Sequence, residues 1–251
     1  MDGYGSSGLG GERGAEEARP FPWPPAHDAP RPRAGASLPA RALRLVEALQ
    51  RHHAPTADHS LRVATILLAV WRLDPDRRLD AETVAAAGLL HDAGKLNLPL
   101  AILDGQRPLD AAEREEVARH PQAGASLLRA LGFPGAVCDA ALTHHERWDG
   151  AGYPLGLAGT EIPWIGRLTA VADSFVAMIE PGRRYRPPRR AREALAEIAR
   201  CSGRQFDPEA VRLLRAALGD PGAVRDSPRP RDGAGEALAA VLAGLPRAIW
   251  A

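Results

Sequence analysis

Five of the chain's eight histidines, His59, His91, His120, His144 and His145, sit on or at the ends of segments whose apolar neighbours recur at helical spacing. His120 falls three residues after Val117, and His145 three after Leu142 and seven after Cys138. A lone histidine on such a face is usually a satisfied core residue. Five on successive helices would bury several imidazoles at a cost of several kcal/mol in total unless something takes up their lone pairs. Two aspartates share the pattern, Asp92 directly after His91 and Asp173 within the apolar run ALTAVADSFVAMI. A buried, unpaired aspartate protonates or destabilises the fold, whereas a cationic centre keeps it ionised. Five imidazoles and two carboxylates exceed what one ion needs and suit two divalent metals with a bridging carboxylate. With no thiolate in the set, iron or manganese is expected rather than a structural zinc. A metal pair held about 3.5–4 Å apart is the standard arrangement for in-line phosphoester hydrolysis.

The stretch VAAAGLLHDAGK, Val84 to Lys95, brings a further group. Lys95 is the only lysine in a chain whose other basic residues are all arginine. A compact ammonium on a flexible stem reaches a single phosphate oxygen where a planar guanidinium needs more room.

Helices must position these groups. Amphipathic segments are expected at Ala40 to Arg51 and at Asp58 to Arg72, the latter with His59, Val63, Ile66 and Val70 on one face. Another runs from Ala81 to His91, with Val84, Ala87 and His91 aligned, and Glu113 to Leu131 gives one or two more, interrupted at His120-Pro121. Ala136 to His145, Ile162 to Ile179 and Arg192 to Arg200 come next, then Asp207-Pro208 as N-cap and first helical residue of a helix reaching Leu218. Strand alternation is essentially absent, so the expected class is all-α. Residues 1–38, rich in Gly, Pro and Arg, read as a disordered arm, and 39–218 as the folded domain. Residues 219–251 read as a linker with a short terminal helix.

Composition bounds the partners. Hydrophobic residues make up 45% and charged residues 25% of 251, with a formal net charge of +1, so no nucleic-acid polymer is expected. The apolar run VATILLAVW falls far short of the roughly 20 residues of a membrane span. With no recognisable signal peptide and two cysteines at no metal or redox spacing, Cys138 and Cys201, a cytoplasmic protein with reduced thiols is expected.

The motifs also carry a resemblance. HDAGK resembles the motif of the metal-dependent HD phosphohydrolases, and HHERWDGAGYP, His144 to Pro154, resembles the HD-GYP signature. The similarity continues through LPLAILDGQRPLDAAEREEVARHPQAG, LAGTEIPWIGRLTAVAD, RRYRPP and FDPEAV, covering about residues 50 to 215. The HD-GYP family comprises cyclic-di-GMP phosphodiesterases built on a helical HD core. The resemblance implies a helical bundle in which His59, His91, Asp92 and Asp173 hold one metal, and His120, His144, His145 and Asp92 the other. It implies hydrolysis of cyclic-di-GMP to pGpG by a metal-activated hydroxide, with further cleavage to GMP left open. The resemblance assigns catalysis to Asp92 and Lys95, with Lys95 beside the scissile phosphate.

The loop DGAGYP has its own chemistry. Gly150 and Gly152 permit a tight turn beside the histidine pair, and Pro154 stiffens the backbone at its exit. Tyr153 could then meet a guanine, a phosphate or a signalling partner, or simply pack in a rigid turn. Gly152, Tyr153 and Pro154 are expected to contact substrate, as are Arg183, Arg184 and Arg186 in the basic run GRRYRPPRR, whose guanidinium groups suit phosphates. The chain departs from the family at Pro55, where some members carry a glutamate for a third metal, so a dinuclear site is expected. Val176 stands where a second aspartate is usual, and IEPGRRYRPP replaces the usual TSDRPYR form. Two alternatives remain: hydrolysis of another nucleotide, and a non-catalytic module that binds cyclic-di-GMP or a partner. Oligomeric state and regulatory input are left open.

Overall fold

The computed structural model describes residues 37–75, 78–105, 107–180 and 188–219. Arg183, Arg184 and Arg186, most of the N-terminal arm and nearly all of the C-terminal segment lie outside the described residues. Ten α-helices and two short 3-10 segments succeed one another with no named strand among the described residues. They are α1 (Leu38–His52), α2 (Ala54–Trp71), α3 (Ala81–Leu90), α4 (Leu100–Leu103), α5 (Ala111–Ala118), α6 (His120–Ala130), α7 (Gly135–Thr143), α8 (Trp164–Ile179), α9 (Ala191–Arg200) and α10 (Pro208–Ala217). The all-α class read from the sequence holds.

Local chemistry sets several starts. Ser37 caps α1, Asp80 caps α3 by accepting the Thr83 N–H at 2.8 Å, and Asp110 forms a reciprocal capping box with Glu113 on α5. Asp207 accepts from Glu209 N–H, with Pro208 opening α10 as expected. His53 caps α2 through Nδ1, which starts that helix four residues earlier than its apolar pattern suggests. The Glu113 to Leu131 stretch is two helices, parted at Arg119 just before His120-Pro121.

Helix α3 is the axis of the domain. Its sequence suggests one buried face, yet every residue from Thr83 to Leu90 is buried. The reason is position: α1, α2, α7 and α8 all pack against it, and its small residues let them close in. Leu67 and Leu68 of α2, Leu89 and Leu90 of α3, Leu128 of α6, Leu168 and Val171 of α8 and Leu214 of α10 share one core with it. Val176, which stands where the resemblance leads one to expect a second aspartate, belongs to that core.

After α3 the chain tightens into a 3-10 turn, Ala93–Asn97, which packs on α6. Gly94 makes this possible. A β-carbon there would collide with the His120 carbonyl oxygen and crowd Gly124 N–H, so only glycine allows the approach. The turn carries Lys95 and ties the end of α3 to the start of α6, where His120 lies.

Candidate metal centre

Each site histidine or aspartate sits where a helix begins, ends or faces the axis. His59 lies in the second turn of α2, and His91 is the C-cap of α3, with Asp92 next to it at the head of the 3-10 turn. His120 opens α6, His144 caps the C-terminus of α7 with His145 directly after it, and Asp173 lies mid-way along α8. Folding brings all seven together. His120, His144 and His145 form one group whose candidate donor atoms lie within 4.8 Å of one another; His59, His91 and Asp173 form a second, and His91, Asp92 and His144 a third linking them.

Asp92 is the link. Its Oδ1 stands 3.2 Å from His120 Nε2 and 3.8 Å from His144 Nε2, while Oδ2 stands 3.4 Å from His91 Nε2 and 2.6 Å from Lys95 Nζ. On the far side Asp173 Oδ1 lies 2.8 Å from His59 Nε2.

The opposite ring nitrogens fix which atoms face this pocket. His91 Nδ1 donates to Gly88 O at 2.8 Å, His120 Nδ1 to Val117 O at 2.7 Å and His144 Nδ1 to Ala141 O at 3.0 Å. A carbonyl only accepts, so these Nδ1 atoms carry the proton and each Nε2 presents a lone pair. His120 Nε2 and His144 Nε2 then face each other across 3.2 Å. His91 Nε2 is buried without any hydrogen-bond partner, although the Asp92 carboxylate is near. Lone pairs and carboxylate oxygens converging in a buried pocket repel one another unless a cation lies among them. The donor set therefore fits divalent metals.

A model of the HD domain family matches residues 37–210. The chain belongs to the HD domain family. Among curated relatives, a 3'3'-cGAMP-specific phosphodiesterase 2 of Vibrio cholerae is 34% identical over 172 residues, covering 68% of this chain and 33% of that protein. A cyclic di-GMP phosphodiesterase of Thermotoga maritima is 44% identical over 129 residues, covering 50% of this chain and 34% of that protein. The chain thus spans about a third of the length of these two relatives. A solved cyclic GMP-AMP phosphodiesterase from V. cholerae shares the fold, with a TM-score of 0.56 at 20% identity over 84% of this chain and 55% of that one.

Electrostatics in this HD domain differ from side to side. Burial, aided by the neighbouring His145, His91 and His120, pushes His144 well below the ordinary imidazole range. Burial lowers His91 as well and takes His145 down to about 4. These three are neutral donors at neutral pH. Burial also opposes charge on His59, yet hydrogen bonds to Asp173 and Glu180 lift it to about 9. Burial works against both carboxylates in the same way, but Lys95 and the imidazoles hold Asp92 far below its usual range, and His59 does so for Asp173.

At the rim of the HD domain's pocket, Tyr153 stacks on His145 with ring centroids 4.8 Å apart and planes at 20°. It stays 37% exposed, and Leu155 beside it is 53% exposed, so the tyrosine is both packed and presented. Gly150 has a φ of +77°, as the tight turn requires. Gly152 serves differently: a β-carbon there would strike the Arg147 and Glu146 backbone, so the need is close approach. Pro55 is exposed in the first turn of α2.

Two carboxylates have roles that sequence reasoning misses. Glu146, buried directly after the histidine pair, accepts the N–H groups of Leu155 at 2.6 Å and Leu157 at 3.1 Å, and so fastens the loop carrying Tyr153. Its one signal is an acid inside the HHERWDGAGYP motif, overshadowed by glycines that suffice on paper to shape the turn. Glu180, the C-cap of α8, accepts from His59 Nδ1 at 2.9 Å across 121 residues. Nothing in the sequence marks that contact.

Proposed function

We propose that this HD domain is a metal-dependent phosphodiesterase that opens a cyclic dinucleotide, cyclic-di-GMP first, to the linear pGpG. The observation that carries the reading is Asp92: one fully enclosed carboxylate stands between the imidazoles of two donor clusters and touches the only lysine. His59, His91, Asp92 and Asp173 would hold one ion, and His120, His144, His145 and Asp92 the other, with iron or manganese the best match to the donors. A bound pair supplies an activated water and neutralises charge that builds on the phosphate.

The chain's own residues do the rest. Asp92 keeps its negative charge at any working pH because Lys95 and the imidazoles favour it. Lys95, partly exposed and 2.6 Å from Asp92, is placed to meet a phosphate oxygen at the pocket mouth. The wall of helices α2, α3, α7 and α8 keeps bulk water from the ligand atoms, which raises the strength of each electrostatic contact. Tyr153, with Gly152 and Pro154, offers a flat apolar edge on which a guanine can stack, and Arg183, Arg184 and Arg186 would take the second phosphate. Exposed Tyr153 and Leu155 also suit a signalling partner.

The names of the relatives support this substrate class and bring in a second substrate, 3'3'-cGAMP. No helix among the described residues is long and apolar enough to cross a membrane, and we keep the cytoplasm as the proposed setting. The test is hydrolysis by protein loaded anaerobically with manganese or iron, given cyclic-di-GMP and 3'3'-cGAMP in parallel. Linear product from cyclic-di-GMP is expected. Absence of both turnover and binding with either metal would overturn the proposal, and turnover of 3'3'-cGAMP alone would reassign the substrate.

A further inference from the structure

Four of the five site histidines rest Nδ1 on a fixed neighbour, but the neighbours are not alike. His91, His120 and His144 use backbone carbonyls three residues back in the chain. Those acceptors are neutral and are in place once the local turn forms. His59 sits inside α2, and its Nδ1 turns instead to the Oε2 of Glu180, 2.9 Å away at the end of another helix.

Glu180 lies seven residues after Asp173 at the end of α8, two helical turns along the same face. The two carboxylates therefore meet the two nitrogens of one imidazole, Asp173 at Nε2 and Glu180 at Nδ1. The second oxygen of Glu180 lies 3.5 Å from the guanidinium of Arg62, one turn beyond His59 on α2. Each oxygen of Glu180 thus has a partner on α2, His59 for one and Arg62 for the other. The Glu180 side chain is only 12% exposed, so the contact is largely shielded from solvent.

We infer that Glu180 is a positioning residue of the metal centre: by accepting the Nδ1 proton of His59, it fixes that ring and presents Nε2 as an electron-rich donor to a divalent ion. The inference rests on the proposed role of His59 as a ligand. A carboxylate behind a metal-bound imidazole raises its basicity beyond what a carbonyl gives, and losing such a partner typically costs about 10- to 100-fold in metal affinity. His59 has no carbonyl of its own turn at Nδ1, so Glu180 is the group that fixes its ring, which stands 5.6 Å, centroid to centroid, from that of His91.

The test is manganese titration of the full chain stripped of metal, with free Mn2+ followed by its electron paramagnetic resonance, for the wild type, His59→Ala, Glu180→Gln and Glu180→Ala. Circular dichroism checks each fold, and the near-isosteric Glu180→Gln carries the test should Glu180→Ala misfold. The expected result is two ions on the wild type and loss of one in His59→Ala. Glu180→Ala should weaken that same ion about 10- to 100-fold, and Glu180→Gln, which keeps an acceptor but not the charge, should fall between. Wild-type affinity for both ions in folded Glu180→Gln and Glu180→Ala, alongside a lost ion in His59→Ala, would overturn the role of Glu180 alone. Unchanged binding in His59→Ala would overturn the ligand assignment and this inference with it.

Discussion

The two donor clusters on either side of Asp92 solve the same problem by different means. His120, His144 and His145 are imidazoles only, and two of them are anchored on carbonyls of the helical turn just behind them. On the other side His59 is held between Asp173 and Glu180 and carries a proton that the two carboxylates stabilise. In the first cluster burial keeps His144 and His145 free of a competing proton at neutral pH. The second has already neutralised itself and must release a proton before an ion can enter. On the proposed assignment, two ions in one pocket would share Asp92 as a bridging ligand and still differ in their response to pH.

Removing the bridge should have the largest effect. Asp92→Asn deletes the charge that both clusters and Lys95 depend on, and the expected loss of cyclic-di-GMP turnover is about a thousandfold or more, with both ions weakened. Comparison of turnover with metal content checks it; a variant that lost one ion and kept the other at wild-type affinity would show that Asp92 serves one cluster alone.

Lys95→Met should come next. It removes a cation from the pocket mouth, lowering kcat by about 100-fold while leaving two ions bound, because nitrogen at Nζ is not a metal donor here. Lys95→Arg should recover little, since the planar group needs space that a compact ammonium does not.

The pH dependence separates the clusters most plainly. His59 is raised to about 9, so below that pH an ion entering its cluster must displace one proton, and affinity should fall about tenfold per pH unit. His144 and His145 are lowered, the latter to about 4, so these two donors put no proton in the way of the partner ion at neutral pH, and its affinity should depend on pH less steeply than that of the ion beside His59. Calorimetric titration at several pH values reads both. The same shifts govern the metal-free fold. His59 adds stability below its unfolded value of 6.5, and that contribution is lost as pH climbs through about 9. His145 works in the opposite sense, and stability falls as pH drops from 6.5 towards 4 because the unfolded chain takes up a proton first. Denaturant melts of the metal-free protein should therefore show greatest stability between these limits.

The smallest effect is expected at the loop. Glu146→Gln keeps an acceptor for only one of the Leu155 and Leu157 N–H groups and turns an amide donor towards the other, costing about 1–3 kcal/mol of stability. Substrate KM should rise a few-fold with kcat little changed, which steady-state kinetics separates.

How much of this contrast is legible in the sequence depends on the range of each contact. His91 and Asp92 are adjacent, and a helix ending at His91 is written in the apolar run before it, so their place can be read directly. The carbonyl anchors of His91, His120 and His144 are also local, three residues back, and are implied once the helices are known. The 3-10 turn after Asp92 is not legible, because its cause is the close approach of Gly94 to α6, a tertiary event. Glu180 is hidden for the same reason, since its partner lies 121 residues away and its neighbours carry no periodic signal for it. Pattern and spacing locate the residues that cluster in the pocket, while the groups that anchor them from behind come from packing.

A bridged two-ion centre is tested most sharply by a metal count combined with spectroscopy on anaerobically prepared, manganese-saturated protein at pH 8. A pocket with two clusters bridged by Asp92 predicts two ions per chain and an exchange-coupled spectrum that Asp92→Asn uncouples. A single ion at saturation, or two that show no coupling in the wild type, would contradict it.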